Sequence, residues 1–303
     1  MASNVRVVVW VESNSTIVGE FEYISNATTL QASPKLTINN VIYDTQSGYQ
    51  TSSFNYVTKQ LTFMARDSND NSRVSFITVD CIQWRVVATH SVENGISWLG
   101  LQYDQTNNQN NLLAVGESGD MLCVSRFNPI SGESSIISKL QGKFHGTAFI
   151  KNTQYLYVTL FQETFGLTIY IVNGNNAEKS YPVQLTNFPR GYTFLSGPYL
   201  TTYVPTYGNI LSLVNFQIIN RADIVKVAKF ASISPGESQI TIYNTMSQQT
   251  LSKNVAMVAD QNGLPFLYSV AKQDGSFYFE IFDLSINDLV VYQLLLTPII
   301  AMF

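Results

Sequence analysis

Trp98, Asp104, His145, Arg190 and Lys253 are side chains of the types that hold a polar ligand, and they recur at related places along the sequence. An aromatic surface beside cationic donors and an imidazole suits an anionic or polar organic molecule, through stacking and charge-assisted hydrogen bonds. Catalysis would draw on His145, Arg190 and Tyr192. His145 is the acid or base suited to neutral pH, while Arg190 and Tyr192 would polarise a substrate oxygen. Such a set would isomerise, cyclise or hydrolyse a small, largely apolar molecule by positioning and proton transfer. The structural alternative puts Trp98 in the core and leaves the cations solvating a rim. Sequence alone keeps both open.

Other signatures of chemistry are missing. There is no HExxH, CxxC, GxxxxGK or GxSxG pattern. The two histidines, His90 and His145, lie too far apart in the repeat described below to predict a shared metal. Neither a metal nor a cofactor is expected. Glu117, Asp120, Glu163 and Asp260 fall near strand ends, where solvated turns account for them. Cys81 and Cys123 read as buried reduced thiols rather than a disulfide framework. Two glycosylation patterns, at Asn14 and Asn26, leave the compartment open.

Composition narrows the partners. Apolar residues make up 45% of the 303, enough for a sizeable core, and charged residues only 13%. The surface must then be built from Asn, Gln, Ser and Thr. A net charge of −4 and the lack of any basic run argue against nucleic acid as a partner. The first residues turn polar too soon for a secretory signal. The apolar tail at 294–303 is about half a membrane span and is broken by Thr297 and Pro298. A soluble chain without a membrane span is expected, either cytoplasmic or a mature secreted form.

The elements that would position these residues are strands. Tyr (17) and Phe (18) are abundant, and short β-branched and aromatic runs close repeatedly on Asn, Gly, Asp or Ser. A segment at 221–230 (RADIVKVAKF) fits a helix or a strand equally. A period of about 45 to 50 residues aligns 144–150 (FHGTAFI) with 189–195 (PRGYTFL) and, more loosely, 253–258. Each opens a unit whose second strand follows, at 155–162, 199–207 and 264–272. Third and fourth strands recur at 73–80 and 83–92, 120–127 and 134–140, 166–172 and 179–185, and 276–283 and 289–296. Residues 5–38 hold three strands with no first strand before them, and 297–303 reads as a first strand with nothing after it.

This period, strand grammar and split first unit resemble the β-propeller architecture over nearly the whole chain. The expectation is one all-β domain of about six four-stranded blades, its ring closed by pairing the C-terminal strand with the N-terminal blade. The blades fall at 1–40 plus 297–303, 51–96, 97–143, 144–188, 189–250 and 251–296, with a loop or extra hairpin within 208–250. No propeller family is matched: the WD40, kelch, receptor-type and sialidase motifs are all missing. The resemblance places each blade's first strand on a central channel, so the six candidate residues would converge at one mouth. Low charge, aromatic and amide-rich loops and the missing catalytic motifs favour a recognition module that presents a face to a glycan, peptide or protein. The alternative is an enzyme at the channel mouth acting on a small organic ligand.

Overall fold

The computed structural model describes residues 5–24, 27–44, 51–70, 72–92, 95–104, 111–149, 155–162, 166–174, 181–186, 192–194, 201–204, 209–218, 224–231, 236–243, 255–259, 265–283 and 288–303. Among them every regular element is a strand. The first sheet runs β27 (Ala301–Met302), β1 (Val5–Glu12), β2 (Ser15–Glu22) and β4 (Ala32–Asn39); β3 (Thr29–Leu30) lies in the connection before β4. In the second, β5 (Val41–Tyr43) and β6 (Ser52–Asn55) both pair with β7 (Gln60–Asp67), followed by β8 (Val74–Asp80) and β9 (Arg85–Ser91). The third is a four-stranded meander of β10 (Ser97–Tyr103), β11 (Leu112–Ser118), β12 (Met121–Phe127) and β13 (Ser134–Gln141).

The next meander, β14 (Lys143–Phe149), β15 (Tyr155–Gln162), β16 (Gly166–Asn173) and β17 (Tyr181–Thr186), continues edge to edge into a fifth set. That set holds β18 (Tyr192–Phe194), β19 (Thr201–Val204), β20 (Asn209–Ile218), β21 (Ile224–Ala231) and β22 (Gly236–Tyr243), joined through the parallel pair β17–β22. The last sheet, β23 (Val255–Ala259), β24 (Pro265–Gln273), β25 (Ser276–Asp283) and β26 (Asp288–Leu295), meets β3 in parallel. Asp274 and Gly275 turn the β24–β25 hairpin with φ of 50° and 82°, the left-handed pair that an Asp-Gly turn adopts.

The loop or extra hairpin expected within 208–250 falls in part outside the described residues. The described part of 208–250 is three full strands, and β20, not 199–207, is the second strand of its set. The short β19 pairs with one half of β20 and β18 with the other, so the first strand is split. The same split occurs where β5 and β6 share β7. The segment 221–230 is a strand where described, held between β20 and β22 by antiparallel pairing on both edges.

Burial explains how these sequences make inner strands covered on both faces. In β7, Leu61 to Ala65 are buried without a break, and so are Leu112 to Gly116 in β11. Successive side chains point to opposite faces, so a continuous buried run means both faces are covered. The partners alternate accordingly. Leu61, Phe63 and Ala65 pack with Val9 and Val18 of the first sheet, whereas Met64 packs with Leu101, Tyr103 and Leu112 of the third. Leu113 and Val115 face the fourth sheet, against Phe144, Leu156 and Val158. Val8 and Trp10 meet Val270 and Phe279 of the last sheet. Each fully buried aliphatic or Phe stabilises by about 1.5–3 kcal/mol. The outer strands β9 and β13 are largely exposed.

Candidate functional site

Trp98 and Asp104 bracket β10, and both are buried. Trp98 is 6% exposed and its ring packs 5.9 Å from Phe76, in the seam between the second and third sheets. Asp104 is 8% exposed, and its backbone N–H donates to the carbonyl of Asn111 at 2.8 Å. His145 lies within β14. Its backbone is the extra residue of a β-bulge, since Phe144 pairs with Leu160 and Gly146 with Thr159. In β10 the corresponding bulge residue is Leu99, because Trp98 pairs with Gly116 and Gly100 with Val115. Trp98 is thus the counterpart of Phe144, not of His145, and like Phe144 it packs toward the preceding sheet. Tyr192 opens β18 opposite Ile218. Arg190 and Lys253 lie outside the described residues, as do Glu163, Asp260 and Asn26. Glu117 and Asp120 are exposed at the β11–β12 turn, and Asn14 is exposed in the β1–β2 turn.

A polar cluster that sequence reasoning did not find sits where β5 and β6 separate. The Asp44 side chain is fully buried and accepts from the Arg66 guanidinium at 3.1 Å. Thr51 donates to the carbonyl of Asp44 and to the hydroxyl of Tyr43, which also bonds Ser52 at 2.6 Å. Burial pushes the Tyr43 phenol above its ordinary value, against the two hydroxyl contacts and with the Asp44 charge. These bonds tie the two halves of a first strand together. Nothing in 41–52 announces this, because the partners become neighbours only once both segments share β7. His90, expected in an outer strand, lies in β9, half-buried, with Nε2 3.0 Å from the carbonyl of Ile130 in the β12–β13 loop. Cys81 and Cys123 are buried and unbridged. Burial pushes the Cys81 thiol to about 12, which keeps it protonated and unreactive near neutral pH.

At the opposite end of the second sheet, apolar side chains face water. Register places Asn55, Gln60, Asp80 and Arg85 in one row across the sheet, and the β6–β7 and β8–β9 turns lie beyond it. The backbone N–H of Cys81 donates to the carbonyl of Lys59 at 3.0 Å, joining the turns. Asn55 Oδ1 accepts from the N–H groups of Val57 and Thr58, and Asp80 Oδ1 from those of Ile82 and Gln83. Tyr56, Val57, Ile82 and Val86 are 45, 54, 69 and 39% exposed. The ring of Tyr56 rests edge-on against Phe54 at 5.1 Å.

No family model and no curated protein matches the chain. Solved structures do resemble it. TolB from Acinetobacter baumannii superposes over 99% of this chain and 67% of its own, with 10% identity and a TM-score of 0.58. A protein from Lactobacillus plantarum superposes over 100% of this chain and 85% of its own, with 12% identity and a TM-score of 0.52. The WD40 domain of Toxoplasma gondii coronin covers 95% of this chain and 67% of its own, at 11% identity and a TM-score of 0.47. The chain is all-β and has the β-propeller architecture, without a specific family.

Proposed function

We propose that this propeller is a recognition module that presents one of its faces to a glycan, peptide or protein partner, on a scaffold of about six blades closed into a ring. The observation that carries the recognition reading is the pair of hydrogen-bonded turns holding Tyr56, Val57 and Ile82 in water. Single exposed aliphatics are ordinary on protein surfaces, but neighbouring ones on one constrained end form a surface suited to a partner. Ring closure is supported by the order of the inner strands. β6 lies beside β10, β10 beside β14, β14 beside β19, β19 beside β23 and β23 beside β27. Phe303, just after β27, stacks on Phe54 of β6 at 6.3 Å.

The test is a glycan array and a peptide array probed with the purified protein, next to a variant carrying Tyr56→Ser and Ile82→Ser. Binding by the wild type that the variant loses is the expected result. A small-molecule turnover that His145→Ala abolishes, with no binding on either array, would overturn the reading in favour of an enzyme at the channel mouth.

A further inference from the structure

We infer that the exposed end of the second sheet docks an extended acidic segment of a protein partner, anchored by apolar side chains over Tyr56, Val57 and Ile82. This rests on the recognition reading and adds which face is used and what it takes.

Charge on this end selects the occupant. Lys59 closes the first turn and Arg85 follows the second, and both are exposed. Two carboxylates lie near them among the described residues, and Asp80 keeps its charge while its Oδ1 is turned to its own turn. Asp80 Oδ1 accepts the two N–H groups of its own turn, at 2.8 and 3.0 Å. Glu20, whose charge bears on the neighbouring Cys81, pairs with Lys35 at 3.0 Å. Burial raises the Tyr56 phenol above its ordinary value, and the charge of Arg6 works against that rise. An apolar patch with a cationic rim, on a chain whose net charge is −4, complements an acidic segment.

Geometry sets the form of the segment. Lys59 and Arg85 sit at the ends of β7 and β9, two interstrand steps or roughly 10 Å apart. Acidic side chains two or three residues apart in an extended chain span that distance. The surface is also held ready. Lys59 and Trp84 occupy the left-handed region, with φ of 55° and 52°, at the same place in each four-residue turn. Such non-glycine positions persist only where their surroundings fix them, and here the Asn55 and Asp80 bonds do so. A preformed surface loses little freedom on binding. Sugars fit less well, because Val57 and Ile82 offer them neither stacking nor hydrogen bonds.

The experiment selects a phage-displayed library of random dodecapeptides on the immobilised protein and measures the winners by fluorescence anisotropy. Selected peptides should place Asp or Glu on either side of an aromatic or aliphatic residue, and their affinity should fall with salt. Tyr56→Ser and Ile82→Ser should each weaken binding roughly tenfold. Lys59→Glu with Arg85→Glu should do the same, with affinity regained by peptides whose acids are changed to Lys. Unchanged melting temperatures show that the variants fold; should Tyr56→Ser unfold, the charge reversal, at two exposed positions, still decides. Winners without acidic enrichment, or insensitive to all four substitutions, would overturn this docking face and leave recognition elsewhere on the ring standing. Self-association of the wild type through these residues would overturn it in favour of a second copy. No selected peptide and no glycan bound would remove both readings.

Discussion

Tyr103 brings a hydroxyl into the packed seam between the second and third sheets, where water cannot reach it. Thr62 takes it up at 2.5 Å and is itself bonded to Thr78 at 2.9 Å, which donates to the carbonyl of Pro129. Burial raises the Tyr103 phenol well above its ordinary value, against the Thr62 bond. Tyr103→Phe should therefore cost about 1–2 kcal/mol, read as a lower urea midpoint at unchanged slope. A cost near zero would mean that this hydroxyl row adds nothing to stability. Cys81 gives a pH-dependent counterpart. Its folded value of about 12 exceeds the ordinary 9.0, so the unfolded chain loses this proton first as pH rises. Stability from this thiol is complete below about pH 9 and is lost as pH climbs from there through about 12. In Cys81→Ala the alkaline decline in urea midpoint should be shallower than in the wild type; parallel declines would refute the assignment. Removing the Arg66 guanidinium leaves the Asp44 carboxylate buried without its cation, so Arg66→Ala should cost roughly 3 kcal/mol.

Strands in this molecule are aimed by small irregularities. At the bulge between Val18 and Gly19, a Cβ on Gly19 would collide with the Ser33 carbonyl oxygen and the Trp10 ring. Gly19→Ala should destabilise by about 3 kcal/mol, whereas Gly119→Ala, with φ of 61° and open space around it, should cost about 1 kcal/mol. Equal urea midpoints for the two would contradict this packing. The bulges in β10 and β14 also decide what could be read beforehand. Strand type was legible because runs such as 155–162 (YLYVTLFQ) and 166–172 (GLTIYIV) are dense in aromatic and β-branched residues, and they fold as β15 and β16. Alignment of the candidate site was not. Counting from the glycine shared by Trp98-Leu99-Gly100 and Phe144-His145-Gly146 would have matched Trp98 with Phe144 and marked it as core. A one-residue offset exchanges the two faces of a strand. The split first strands escaped notice for another reason: 199–207 reads as a second strand because nothing in its residues shows that it shares β20 with 189–195, and the three and four residues of β5 and β6 carry too little pattern to register.

At the scale of the molecule, each of the first three sheets is packed on both faces by its two neighbours. Val9 and Trp10 are adjacent in β1, yet Val9 belongs to the seam with the second sheet and Trp10 to the seam with the last. Such an arrangement is stable only when every sheet has a neighbour on both sides. The first sheet has its inner position filled by β27, where Met302 pairs with Val8 and Ala301 with Val9. Ile299 and Met302 enter the seam with the last sheet, and the Phe303 ring lies over Phe54. If the ring closes here, the two ends of the chain hold the whole scaffold in shape, including the turns proposed to meet a partner. The most direct measurement is thermal unfolding of a chain lacking 297–303, with and without the free peptide TPIIAMF. Closure predicts a melting temperature lower by about 10 °C, restored when the peptide is added in excess. An unchanged melting temperature in the shortened chain would contradict the closed ring.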